Sequence, residues 1–203
     1  MARQKAANEK GKGTTIKLPK MNIQTLVLTL VGDSALISHA WSERVKKAML
    51  DKQLGVPDVG REKKDPQRDY EESLYKLPNG KNGFPAVAFK NAAVNACRFV
   101  QGVKMTEARG AFHIVGDMVE IMGEPSMRED MVKVGMGLPD IRYRAEFKKW
   151  KARIKIRYNA NAVSQEQVVN LFNVSGFGIG VGDWRPERDG SFGMYHVGTE
   201  AEI

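Results

Sequence analysis

The sequence has little of what metal and disulfide sites need: one cysteine, Cys97, and three histidines in 203 residues. One cysteine cannot form an intramolecular disulfide, and no two Cys or His residues have zinc-ligand spacing. Long apolar runs are also missing, because no eighteen consecutive residues are apolar and the N-terminus lacks the apolar segment of a signal peptide. These absences predict a soluble, cytoplasmic protein with no membrane partner, metal or other cofactor.

Positive charge is what the chain has in excess. It contains 32 Lys and Arg residues against 24 Asp and Glu, which gives a formal net charge of +8. This balance favours an anionic partner, with nucleic acid before membrane. Residues 1–20 hold six cations against the single acid Glu9 and predict a flexible basic arm. We expect residues 21–203 to form one domain with an insertion at about residues 55–82.

Hydrophobic periodicity and turn signals predict alternating strands and helices. Strands are expected at residues 22–31, 132–136, 151–158 and 192–197, and a hairpin with its two strands at 111–115 and 118–122. Helices are expected from Ser42, from Asp65 to Leu77, over residues 87–100, and from Ser164 until Gly176. Such a mixture over an antiparallel sheet predicts an α+β fold with a ferredoxin-like or RRM-like core.

The strand at 151–158 carries the clearest functional pattern. Two sets of residues alternate along it: the cations Lys151, Arg153, Lys155 and Arg157, and the apolar residues Ala152, Ile154, Ile156 and Tyr158. A period of two places the cations on one face and the apolar set on the core. A merely solvated face is the simpler alternative. With Arg142 and Arg144 nearby, the pattern favours contacts with phosphates.

A glycine-rich stretch follows at residues 176–193, with six glycines in eighteen residues. Its spacing matches neither a P-loop nor a dinucleotide-binding loop. It predicts a tight loop between strands that presents four side chains: Trp184, Arg185, Arg188 and Phe192. The two aromatic rings are candidates for stacking on bases, whereas we expect Trp41 and Trp150 to be packing residues. An ordinary glycine-rich hairpin is the simpler alternative.

Three stretches, taken in order, carry a family resemblance: the strand and small-residue segment at 26–39, residues 83–98, and the glycine loop at 176–195. In the second stretch Pro85, Phe89, Lys90 and Arg98 match a family pattern Ile-Pro-Gly-Ser-Ser-Leu-Lys-Gly-x-x-Arg, although Ala86 and Ala88 replace a Gly and a Ser. The chain resembles the RAMP superfamily of CRISPR-associated proteins, in particular the backbone subunits that line a guide RNA. It is shorter than most of them, as a stand-alone or phage-encoded relative would be.

The resemblance implies an RRM-like core, sequence-independent binding of single-stranded RNA or DNA, and homo-oligomers assembled side by side as filaments or rings. It adds Lys90 and Arg98 to the expected nucleic-acid contacts. Some relatives cleave RNA with His or Asp, and His39 and Asp33 are weak candidates for such a role. We expect a protein that is not an enzyme. The alternatives are a RAMP-type endoribonuclease and a basic virion structural protein.

Overall fold

The computed structural model describes residues 20–57, 60, 63–135 and 137–202. Apart from Lys20, the predicted basic arm lies outside these residues, and so does part of the predicted insertion. The strands are β1 Ile23–Gly32, β2 Leu36–Ser38, β3 Tyr75–Lys76, β4 Asn82–Pro85, β5 Phe112–Ile114, β6 Met118–Met122, β7 Pro125–Val134, β8 Leu138–Phe147, β9 Lys151–Asn159 and β10 Tyr195–Val197. The helices are α1 Glu43–Gln53, α2 Pro66–Glu72, α3 Ala86–Ala96, α4 Met105–Ala111 and α5 Gln165–Gly178, with a 3-10 turn at Pro186–Arg188. Within these ranges every helix is too short or too polar to traverse a lipid bilayer.

Four strands and two helices form the centre of the fold, in the chain order β1, α3, β6, β9, α5, β10. In the sheet these strands lie side by side as β10-β1-β9-β6, and each neighbouring pair is antiparallel. Two strand–helix–strand units combined in this way make a ferredoxin-like core. The predicted α+β class with a ferredoxin-like core is therefore confirmed. The strands β4 and β3 extend the sheet beyond β6, while β5 pairs with β9.

The two faces of this sheet differ because the strand residues alternate. On β9 the cations from Arg153 to Arg157 are exposed, whereas Ile154 and Ile156 between them are buried. The helices α3 and α5 cover the apolar face with side chains such as Phe89 and Phe172. Burying each large apolar side chain contributes about 1.5–3 kcal/mol. Within the described ranges no helix covers the opposite face of β9, which is exposed and carries the predicted row of cations.

Two insertions are built onto this core. Between β1 and α3 the chain forms β2, α1, α2, β3 and β4, and between β6 and β9 it forms the long hairpin β7–β8. β2 pairs with β8, which joins both insertions in a three-stranded sheet, β2-β8-β7. The predicted helix starts are confirmed, since the side chains of Ser42, Asp65 and Ser164 each accept a hydrogen bond from a backbone N–H in the first helical turn.

The predicted hairpin at residues 111–122 is wrong. β5 and β6 do not pair with each other; both pair antiparallel with β9, with Ile114 opposite Ile156 and Ile121 opposite Ala152. The two segments therefore run in the same direction along one partner strand. Gly116, at φ 91°, allows residues 115–117 to loop out without reversing the chain. Gly116 and Asp117 therefore belong to a bulge-like loop and not to the turn of a hairpin.

Several other boundaries differ from the predictions. Helix α3 ends at Ala96, before residue 100, and α2 ends at Glu72, before Leu77. Helix α5 continues through Gly176 to Gly178, so the glycine loop connects a helix to a strand and does not lie between two strands. The predicted strand at 132–136 is the end of the longer β7. The partner strand β8 was not predicted, since its Pro139, Asp140 and alternating charges resemble a loop.

Candidate nucleic-acid interface

The open face of the sheet is dominated by the cations of β9. Arg153, Lys155 and Arg157 are exposed, and within the described residues none of the three forms an ion pair. Opposite them on β1 lie Thr29, Val27 and Thr25, which are uncharged. Residues two apart on a strand are separated by about 7 Å. The side chains thus form a linear row of unneutralised positive charge, which an anionic chain can neutralise.

One end of this row meets a further pair of basic groups. His113 on β5 lies opposite Arg157, and Lys90 Nζ, from helix α3, is 2.9 Å from His113 Nδ1. Partial burial, together with the charges of Lys90 and Arg157, lowers the pKa of His113. Burial also lowers the pKa of Lys90. Lys90, predicted to contact nucleic acid, therefore reaches the edge strand of the same sheet.

The opposite end of the row carries acidic groups. Lys151 Nζ donates a hydrogen bond to the backbone carbonyl of Glu202, and His196 on β10 lies between two carboxylates. Its Nδ1 is 2.6 Å from Asp33 Oδ1 and its Nε2 is 3.2 Å from Glu202 Oε1. Burial alone would lower the pKa of His196, but hydrogen bonds and ion pairing with Asp33 and Glu202 raise it. Hydrogen bonds from the N–H and hydroxyl of Thr199, and then from His196, lower the pKa of Glu202 to about 2.

The glycine loop brings its two aromatic rings together, but around an arginine of the same chain. The ring centroids of Trp184 and Phe192 are 6.1 Å apart, and Arg128 Cζ on β7 lies 5.4 Å and 4.7 Å from them. Such cation–π contacts contribute roughly 0.5–2 kcal/mol each. Trp184 remains 37% exposed and has a positive φ of 53°. Both stacking candidates thus contact Arg128 of the β7–β8 hairpin. Only the part of each ring that this contact leaves exposed faces solvent.

Beneath the rings, ion pairs connect the hairpin with the segment after β2. The guanidinium of Arg144 donates to Asp183 Oδ2 at 2.6 Å and to Asp130 Oδ2 at 2.9 Å, and Arg144 is buried. His39 Nδ1 lies 3.2 Å from the same Asp183 oxygen. Burial would raise the pKa of Asp183, but hydrogen bonds with His39 and Arg144 lower it. Arg144, predicted as a surface contact, is instead a member of this internal network.

The remaining predicted arginines have different surroundings. Arg98 and Arg185 both pair with Glu187, at 3.0 Å and 3.1 Å, so the end of α3 is held against the 3-10 turn of the glycine loop. Arg142 pairs with Asp140 on the same strand, at 3.0 Å, and is partly exposed. Arg188 is exposed at the end of the 3-10 turn. These residues lie on elements other than β9 and do not extend its row.

The two weak catalytic candidates belong to separate clusters, because His39 pairs with Asp183 whereas Asp33 pairs with His196. Sequence reasoning missed His196, which is 163 residues from its partner Asp33 and has no local pattern to reveal it. It also misplaced Trp41, which is 57% exposed and is not a packing residue. Trp150, in contrast, is only 3% exposed and packs in the core as predicted.

The fold and this face define an α+β, ferredoxin-like protein with an exposed basic sheet. Neither a protein-family model nor a curated protein matches the chain. Solved structures do. A chain in a cryo-EM structure of the Type III-B Cmr-beta bound to cognate target RNA matches with a TM-score of 0.54 and 12% identity over 87% of this chain. The match covers 59% of that chain's own length. Cmr6 from Pyrococcus furiosus matches over 88% of this chain and 100% of its own, with a TM-score of 0.46 and 10% identity.

At this low identity the comparison with the Cmr-beta structure establishes the fold and nothing finer. It confirms the fold that the resemblance of the three sequence stretches implied. The present chain corresponds to little more than half of the chain that it matches. Its ligand and assembly have to be argued from its own residues.

Proposed function

We propose that this protein binds single-stranded nucleic acid, with RNA as the expected ligand, through the open face of its ferredoxin-like sheet. The observation that carries the proposal is the row of exposed cations Arg153, Lys155 and Arg157, which is uncompensated within the described residues. Cations that neutralise phosphates release condensed counterions, and this contribution does not depend on base sequence. The matched chain comes from a structure of Cmr-beta bound to cognate target RNA. This favours RNA over DNA as the first ligand to test.

The binding is expected to be largely sequence-independent. The described part of the face offers charged groups and aliphatic side chains such as Val27, and it lacks the exposed aromatic residues with which RRM sheets stack on bases. Phosphate contacts position a strand, whereas sequence is read by contacts with base edges. We also propose that the protein acts without cleaving its ligand. The weak candidates Asp33 and His39 lie in separate clusters and do not form one acid–base pair.

The test replaces Arg153 and Arg157 with glutamate and measures affinity for a labelled single strand of about 30 nucleotides, long enough for several binding sites. We expect at least about a tenfold loss of affinity, since two phosphate contacts become repulsive. Lys104→Glu with Lys133→Glu is the matched control, because it changes the net charge equally at exposed positions off this face. Equal losses in both double variants, or none in either, would contradict the proposal. Recovery of the RNA intact, with and without a divalent cation, checks the absence of cleavage.

Side-by-side assembly along the strand is part of the same proposal. A single small domain covers only about 4–16 nucleotides, so a longer strand leaves room for neighbouring copies. Light scattering on a long single strand should therefore show particles that grow with protein concentration. Particles that stay at one protein per strand at saturation would contradict assembly and leave the binding proposal intact.

A further inference from the structure

Helix α1 presents an apolar stripe to an open groove. None of its residues is buried, and Val45 and Met49 are four residues apart on the helix, while Trp41 stands just before the N-cap Ser42. Residues spaced by four share one face of a helix. These side chains line a groove of about 1240 Å³ between α1, α2 and β8. An apolar helix face normally packs on a core, but this one borders solvent, and the Trp41 side chain is 57% exposed.

The groove is also positively charged. Among the described residues its lining contains eight Lys and Arg residues against four Asp and Glu residues. Some of these charges neutralise each other, as Arg44 does with Asp69 and Glu72. Lys47, Lys52 and Lys63, in contrast, are exposed and form no ion pair within the described ranges. An occupant of this groove must therefore combine negative charge with a flat or apolar part.

We propose that this groove is a second nucleic-acid site, in which a nucleobase stacks on Trp41 while the adjoining phosphates contact Lys47, Lys52 and Lys63. Tryptophan offers a large aromatic surface for such stacking. Lys46 Nζ lies over one face of the ring, 5.5 Å from its centroid, so the base stacks on the other face or displaces this lysine. A second aromatic residue, Tyr143 of β8, lines the same groove.

The groove is distinct from the basic sheet face, because none of its lining residues comes from β1, β5, β9 or β10. The inference rests on the proposed binding of a single strand, and it adds a place where that strand is held through a base. A strand that contacts both surfaces would gain base stacking in addition to the phosphate contacts of β9. Charge alone governs the first site, whereas the second also depends on an aromatic ring.

The experiment measures the affinity of Trp41→Ala and Trp41→Phe for single-stranded RNA, and maps photo-crosslinks from RNA that contains 4-thiouridine. Loss of one stacked base should weaken binding about 5- to 100-fold in Trp41→Ala, while Trp41→Phe keeps an aromatic face and should stay within about threefold. The crosslinks should include Trp41 or its neighbours on α1. Both variants should keep the wild-type thermal midpoint, since the side chain is exposed.

Unchanged affinity in Trp41→Ala, or an absence of crosslinks on α1, overturns the inference. If Arg153→Glu with Arg157→Glu still abolishes binding in that case, the sheet face remains the binding site and only the groove fails. If neither variant affects affinity, the proposed function fails as well. Binding of an acidic amphipathic peptide that Trp41→Ala abolishes, with RNA affinity unchanged, would assign the groove to a protein partner and also overturn the inference.

Discussion

His113 and His196 mark the two ends of the basic row, and their neighbours give them opposite properties. His113 lies between Lys90 and Arg157, where partial burial and positive charge lower its pKa. His196 lies between Asp33 and Glu202, whose carboxylates raise its pKa despite partial burial. Neighbouring cations disfavour the protonated imidazole, and neighbouring carboxylates favour it. The acidic end thus ties β10, the loop after β1 and the C-terminal turn together through the hydrogen bonds of His196.

The raised pKa of His196 predicts a pH-dependent contribution to stability. A folded-state pKa above the unfolded value of 6.5 means that protonation favours the fold. The contribution should be fully present below that value and should be lost as the pH rises through the folded-state pKa. Because these pairs are largely exposed and screened by solvent, the change in the free energy of unfolding should be small.

His196→Gln tests this with urea unfolding at several pH values. The wild type should exceed the variant in free energy of unfolding at about pH 6, and the difference should shrink toward about pH 9. His113→Gln provides the comparison, because the lowered pKa of His113 gives the opposite dependence on pH. A difference between wild type and His196→Gln that stays constant over this range would contradict the assigned ion pairs.

Among the elements, the contact between α5 and β10 fixes the end of the glycine loop. Gly176 lies inside α5 with its Cα against the backbone carbonyl of Tyr195, and a Cβ there would collide with that oxygen. Ser175 and Tyr195 share a buried hydrogen bond of 2.7 Å next to it. The glycine is required for this close approach, whereas its position in the sequence indicated only the end of a helix.

Gly176→Ala should therefore destabilise the fold by more than about 2 kcal/mol, because backbone atoms have to move apart. Gly110→Ala is the matched control, since Gly110 lies in helix α4 and a Cβ at that position would have no neighbouring atom within 4 Å. It should leave stability unchanged or raise it by up to about 1 kcal/mol, as alanine favours helix more than glycine does. Thermal unfolding measures both. Equal effects would show that Gly176 is not tightly packed.

The sequence predicted the elements whose signals are local. Strand β9 follows from strict alternation of cations and apolar residues, and the starts of α1, α2 and α5 follow from capping residues. The prediction failed at Gly116-Asp117, because this pair is compatible with both a hairpin turn and a bulge. Only the pairing of both flanking segments with β9 distinguishes the two structures. β8 was missed because its charges are stabilised by β7, which no local window reveals.

At the scale of the whole molecule, the candidate site was predictable in part. The row on β9 depends on one strand and was found. Other contacts bury Arg144 and surround Arg128 with Trp184 and Phe192. They join residues far apart in the chain, so local sequence patterns did not predict them. Trp41 was misplaced for the same reason, since its position just before α1 does not show whether a core or a groove faces it.

The exposed cations on the open sheet are proposed to bind the phosphates of a single strand, and salt competes directly with such contacts. The most direct test is therefore the affinity for single-stranded RNA measured over a series of salt concentrations. Log affinity should fall linearly with log salt, by about 0.7 for each phosphate neutralised. Arg153→Glu with Arg157→Glu should reduce that slope, while the control at Lys104 and Lys133 should keep it. A flat salt response, or an unchanged slope in the Arg153 and Arg157 variant, would contradict binding through this face.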